Sequence, residues 1–164
     1  NGGFVFGGYS LGESALLARL GPVAARALYR QTIDAVARIR RRSAAIDCDR
    51  RDSGVIWANW FQDPQLLERR RRLLAEYYGV HWEPWNRERL RAAVDSPRYS
   101  AALYEADALH LDPLAYARGL AASIEAGGGR IHEQTPVLGL QPDSAGWRLR
   151  TAAGDVPSHL REML

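Results

Sequence analysis

The stretch from Leu109 to Leu140, LHLDPLAYARGLAASIEAGGGRIHEQTPVLGL, limits the fold more than any other. Asp112 is a good N-cap, and Pro113 suits the first helical position, where a missing N–H costs nothing. Leu114, Ala117, Ala121 and Ile124 recur at helical spacing and predict one stripe facing a core. Gly127, Gly128 and Gly129 end the helix, since glycine takes the left-handed cap conformation without a steric penalty. Arg130 to Thr135 then alternates as a strand does, Pro136 breaks it, and Val137 to Leu140 resumes. A helix feeding a strand through a glycine turn is a half-unit of an α/β sheet. The shape alone names no reaction.

Upstream, Asn1 to Tyr9 holds four glycines among aromatic and apolar residues, which lets backbone approach backbone or a ligand closely. No G-x-G-x-x-G or Walker pattern occurs in the chain, so this is not a phosphate fingerprint. Ser10 with Glu13 predicts a capping box and a helix that bends at Gly21-Pro22 and continues to about Ala45. Leu28, Thr32, Ala35 or Val36, and Ile39 mark its expected buried side. Gly54 to Phe61 reads as a strand with Val55, Trp57 and Asn59 on one face. Asp63-Pro64 starts a helix to about Tyr78. Arg87 to Val94 gives a short helix, and Pro97 to Ala106 is extended. Beyond the organising stretch, Trp147 to Thr151 and a return from Val156 predict a hairpin, which Pro157 interrupts.

Composition excludes several function classes. The 164 residues suffice for one ordinary core, and 46% hydrophobic with 25% charged content is that of a soluble globular protein. No apolar run approaches the roughly 20 residues that span a bilayer. Cys48 is the only cysteine, sits in a polar turn, and makes a reducing, cytoplasmic home the expectation. All 22 basic residues are arginine, yet they are dispersed and the net charge is only +3, which argues against nucleic acid. Arg38 and Arg40 to Arg42 offset the dipole at a helix end. Arg69 to Arg72 fan over roughly 300° of a helix and read as solvated side chains. The competing reading is a non-catalytic helical module contacting RNA or acidic partners through these arginine-rich helices.

The four histidines lie in no ligand spacing, and HExxH and CxxC are absent, so no metal site is expected. No G-x-S-x-G elbow exists, and no catalytic residue can be named. Trp57, Trp60, Tyr99 and Tyr104 can line an amine or flavin pocket, or serve only as core aromatics. The chain opens at Asn1 and its only methionine is Met163, which reads as an internal piece of a longer protein.

Three segments together resemble the FAD-dependent oxidoreductases of the D-amino-acid-oxidase type. They are Asn1-Gly2-Gly3-Phe4-Val5, Gly54-Val-Ile-Trp57, and Ala108 to Leu120 running on to Thr135-Pro136-Val137. Within that family the sequence is most similar to the bacterial gamma-glutamylputrescine oxidoreductase-like branch. The resemblance implies an α/β (α+β) chain: part of a Rossmann-type FAD-binding domain interleaved with part of a substrate domain. Residues 1–50 and 109–156 would belong to the FAD domain, 51–108 to the substrate domain, and 157–164 to a divergent tail. It implies oxidation of a C–N bond in an amine or amino acid by hydride transfer to flavin. Asn1, Gly2 and Gly3 would pass near the flavin and its pyrophosphate, and the Val137 backbone would meet the adenine. Trp57, Tyr99 and Tyr104 would face the substrate pocket. The glycine-rich strand and helix that hold the pyrophosphate in the family are absent here, so this chain alone is expected to bind FAD weakly or not at all and to be inactive.

Overall fold

The computed structural model describes residues 2–61, 63–143 and 146–158. It comprises two compact units, Asn1–Leu120 and Ala121–Leu164, with the boundary inside one helix.

In the first unit, strand β1 (Phe4–Val5) leads to the long helix α1 (Glu13–Ser43). The expected capping box does not form: Gly12 is the N-cap and no side chain caps the helix, so Ser10 lies outside the cap position. The bend falls where the sequence places it, because Gly21 adopts φ 74° and Pro22 has no N–H to continue the ladder. The buried side of α1 runs through Leu16, Ala25, Tyr29, Val36 and Ser43. Leu28, Thr32 and Ile39 are only half-buried and Ala35 is exposed, so the stripe is centred on Tyr29 rather than Leu28.

Strand β2 (Val55–Ala58) precedes α2 (Pro64–Leu73), whose N-terminus is capped by Asp63 accepting from the Gln65 N–H at 2.9 Å. A π-helical turn, Leu74–Tyr78, extends α2 and ends at Gly79 with φ 68°. Strand β3 (Glu83–Trp85), helix α3 (Arg87–Ala93, capped by Asn86) and strand β4 (Ala102–Glu105) follow. The three strands form an antiparallel sheet in the order β2-β4-β3. Leu103 from this sheet packs with Leu16, Ala25, Tyr29, Leu74, Tyr78 and Trp82 as the main core. Strand β5 (Leu109–His110) pairs with β1, and a second cluster of Cys48, Leu109 and Leu111 lies beneath that pair. Cys48 is therefore buried, not part of a solvated turn, because the chain folds back over it and Asp112 N donates to its carbonyl at 2.8 Å.

Helix α4 (Pro113–Ala126) starts as expected, with Asp112 Oδ1 accepting from the Leu114 and Ala115 N–H groups at 2.8 and 3.0 Å. It stops as expected too: Gly128 is left-handed at φ 82°, and Gly129 N bonds back to the Ile124 carbonyl at 2.9 Å. The predicted buried stripe is not buried, however. No residue of α4 is, and Leu114 and Ile124 are 57% and 50% exposed.

The second unit carries β6 (Val137–Asp143), β7 (Gly146–Thr151) and β8 (Gly154–Ser158) as an antiparallel meander. Its register sets Leu140, Leu149 and Val156 side by side on one face. Pro157 does not interrupt the return strand as expected: it and Pro142 fall on the two outer strands, where a missing N–H breaks no shared ladder. Arg130 to Thr135, expected as a strand, is irregular, with a turn at Glu133-Gln134 and Gln134 at φ 51°. Alternation alone does not make a strand; the segment has no neighbouring strand among the described residues, and every described sheet is antiparallel. No helix among the described residues is long and apolar enough to cross a membrane.

Candidate functional site

The glycine segment is built against β5. Leu111 N donates to the Gly3 carbonyl at 3.0 Å, and His110 Nε2 lies 3.1 Å from the Gly2 carbonyl. Gly3 has φ +79°, and a Cβ there would stand 2.1 Å from the Leu111 carbonyl oxygen, so only glycine fits. Gly2 is exposed, and Phe4 meets His110 edge-on at 5.0 Å between ring centres. Beside this segment opens a groove of about 520 Å³, lined by apolar groups such as Val5, Val36, Ile39, Leu111 and Tyr116. Asn1 lies outside the described residues. Val137 opens β6 opposite Thr151 and is 54% exposed.

The β2-β4 register separates the aromatic candidates. Trp57 stands opposite Leu103, and Tyr104 stands opposite Ile56, so Trp57 and Tyr104 occupy opposite faces of the sheet. Trp57 lines a cavity of about 670 Å³ together with Asn59, Trp60, Leu67, Arg69 and Arg70. Tyr104 instead stacks on Trp85 at 4.8 Å and donates its hydroxyl to the Ser53 carbonyl at 2.9 Å. Its ring fills the space that a Cβ on Gly54 would need. Tyr99 packs on Trp60 at 6.2 Å between ring centres and does not line the Trp57 cavity. The three residues are thus not brought together.

Glu105 and Tyr29, which sequence reasoning passed over, and Arg70, which it read as solvated, gather around Trp57. Glu105, 4% exposed, accepts from Trp57 Nε1 at 2.9 Å through one oxygen and from Gly7 N at 3.4 Å through the other. Burial raises its pKa above the usual carboxylate value; the Trp57 and Gly7 hydrogen bonds and the Arg70 charge oppose that rise. Tyr29 is 2% exposed and its hydroxyl has no partner, so burial pushes its pKa well above the ordinary phenol value, with the Glu105 charge adding to the effect. Arg70 places its guanidinium 4.7 Å from the centres of both Trp57 and Trp82 and pairs with Glu13 at 2.7 Å. The neighbouring arginines are also engaged: Arg69 with Asp63, and Arg71 and Arg72 with Glu68, whose pKa they hold at about 2. Arg69, Arg71 and Arg72 thus form local ion pairs, while Arg70 reaches Glu13 and lies against Trp57 and Trp82 rather than in solvent. The one signal for Glu105 was its position two residues beyond Leu103 in an otherwise apolar strand. No group of three or more His, Cys, Asp or Glu side chains that could hold a metal occurs among the described residues.

Comparison with known proteins gives these features a family. Residues 1–161 match the DAO family of FAD dependent oxidoreductases. The gamma-glutamylputrescine oxidoreductase of Escherichia coli (strain K12) is 31% identical over 160 residues, which are 95% of this chain and 37% of that protein. A probable oxidoreductase, OrdL, of Haemophilus influenzae is 24% identical over 161 residues, again covering 37% of that protein. The glycine oxidase structure from Geobacillus kaustophilus superposes with TM-score 0.67 at 19% identity, covering 96% of this chain and 42% of that one. The L-proline dehydrogenase structure from P. horikoshii gives 0.62 at 15% identity, covering 76% and 34%. The chain spans under half the length of these relatives.

The residues present fit part of an FAD. The groove beside Gly3 is lined mostly by apolar groups, a surface compatible with a planar ring system. Diphosphate needs a different donor set, and no glycine-rich strand-to-helix turn with the dinucleotide fingerprint is in this sequence.

Proposed function

Because the chain belongs to the DAO family of FAD dependent oxidoreductases, we propose that it serves as part of a longer enzyme that oxidises a C–N bond of an amine or amino acid. The observation that carries this reading is the family match over residues 1–161. Bound flavin would supply the chemistry by accepting a hydride from the carbon next to nitrogen. The chain's own residues bind and position. Asn1, Gly2 and Gly3 run their backbone past the flavin and its diphosphate, and the Val137 backbone meets the adenine. The locked Gly3–Leu111 contact supports this, since a glycine held against a neighbouring carbonyl keeps the segment in one conformation. Trp57 faces the substrate, with Tyr99 and Tyr104 as weaker candidates. Residues 1–50 and 109–156 serve the FAD domain, residues 51–108 the substrate domain, and residues 157–164 a divergent tail. By itself the 164-residue chain binds FAD weakly or not at all and turns over no substrate, because the diphosphate cradle is not in it.

The test is anaerobic addition of amines and amino acids to the protein expressed from the whole reading frame that carries this chain. Loss of the oxidised-flavin absorption band with at least one such substrate is expected. A flavin that stays oxidised across a broad panel of both classes, while an artificial reductant bleaches it, overturns the substrate reading.

A further inference from the structure

One carboxylate in the first unit joins two segments to which the flavin reading gives separate tasks. Trp57 and Glu105 stand on the same face of the β2-β4 sheet, since Trp57 opposes Leu103 and Glu105 opposes Val55. They are diagonal neighbours across the two strands, within reach of long side chains. Glu105 Oε2 accepts from Trp57 Nε1 at 2.9 Å, and its Oε1 accepts from Gly7 N at 3.4 Å. Gly7 belongs to the same glycine segment as Gly2 and Gly3. It is buried, and a Cβ there would come within 2.7 Å of Ile33 Cδ1, so α1 closes its other side. Gly8 N adds a bond to Thr32 Oγ1 at 2.8 Å. From the same segment, Phe6 meets the Trp57 ring edge-on at 4.9 Å.

Glu105 is 4% exposed and makes no ion pair among the described residues. The strand therefore bears the cost of a buried carboxylate, which an apolar or amide side chain would avoid. A glutamine, however, offers a single acceptor oxygen and would turn its NH2 toward the second donor. Glutamate serves both N–H groups, one through each oxygen. The Trp57 ring is otherwise held by contacts of weak directionality. Trp82 stacks on it at 5.6 Å, and the Arg70 guanidinium lies 4.7 Å from its centre. Its Nε1–H is its one polar handle, and Glu105 holds that handle. The same ring lines the cavity shared with Asn59, Trp60 and Leu67.

We propose that Glu105 is a positioning residue: it ties the segment that runs past the flavin to the Trp57 wall of the substrate cavity, and so sets where substrate stands relative to flavin. The inference rests on the oxidoreductase reading, in which Gly2 and Gly3 pass the flavin and Trp57 faces the substrate. Glu105 touches neither reactant and moves no proton. Its effect passes through Trp57 and Gly7.

The test uses the protein expressed from the whole reading frame that carries this chain, unmodified and as Glu105→Gln, Trp57→Phe and the double variant. With isotope-labelled tryptophan in a proton–nitrogen correlation spectrum, the Trp57 indole signal is the one that Trp57→Phe removes. Glu105→Gln should shift that signal whether or not flavin is bound. In anaerobic rapid mixing with a substrate that bleaches the flavin, Glu105→Gln should slow reduction at saturating substrate about tenfold or more, as misplaced reacting groups do. The dissociation constants of substrate and FAD should change less than that rate. The double variant should be no slower than the slower single variant, because both substitutions cut the same tie. A merely structural role would instead appear as lost folded protein or lost FAD, with the rate per bound flavin unchanged. The proposal is overturned if the indole signal does not move, if Glu105→Gln is reduced at the unmodified rate, or if the two slowing factors multiply in the double variant. A flavin that no amine or amino acid reduces overturns the oxidoreductase reading and this proposal with it. The indole signal separates that outcome from a missing tie.

Discussion

The two units use the same kinds of residue in opposite ways. Every buried side chain among the described residues lies at or before Leu111, in the first unit; none lies in the second. The first unit buries Leu74, Leu90, Leu103 and Leu109 almost completely, with Tyr29 among them. The second leaves Val137, Leu138, Leu140 and Trp147 between 40% and 57% exposed. A three-stranded meander with no buried face is held by its backbone ladder and by exposed, solvent-screened pairs such as Arg148 with Asp143. Burial, not strand pairing, is what separates the two units.

That contrast gives its sharpest test in paired substitutions. Leu103→Ala should lower stability in urea unfolding by about 2–5 kcal/mol, since it opens a cavity in a core that is 1% exposed at that position. Leu140→Ala, at 57% exposure, should stay within about 0.5 kcal/mol. Comparable losses at the two sites would erase the distinction. Next in size is Gly3→Ala. It forces a left-handed φ and a clash with the Leu111 carbonyl, so about 1–3 kcal/mol should be lost and the β1-β5 pair loosened. Hydrogen exchange at Leu111 N would report it.

The core also has a pH signature. The folded-state pKa of Glu105 lies above its unfolded value near 4.5, so its contribution is fully present below that pH and is lost as pH rises through the folded value. Glu68 runs the other way. Its folded pKa of about 2 gives stability that is present above about 4.5 and lost as pH falls toward 2. Glu105→Gln should therefore gain stability relative to the unmodified chain as pH rises from 4.5 toward neutrality, with no such trend below 4.5. A constant difference across that range would refute the burial argument. The smallest effect belongs to the second unit, where Arg148→Ala should change urea-unfolding stability less than any substitution above, and less still at high salt.

Local signals in the sequence carried well. Asp63-Pro64 and Asp112-Pro113 start helices, Gly21-Pro22 bends one, and Gly127 to Gly129 stops one, because each device acts within a few residues. Long-range partnerships did not show. Trp57 and Glu105 are 48 residues apart, and Arg70 and Glu13 are 57 apart, so neither contact leaves a spacing to read. Gly3 was legible as a glycine, yet its reason, the Leu111 carbonyl, lies over a hundred residues away. Arg130 to Thr135 and the α4 stripe failed for one shared cause. A periodic pattern states which face seeks a partner, and the described residues do not supply one.

The most direct test of the functional account is the flavin content of the protein expressed from the whole reading frame, read from its absorption spectrum before and after denaturation. The account predicts bound FAD in the native protein and its release or exposure on unfolding. A correctly folded protein that carries no flavin and takes up none when FAD is added would contradict it.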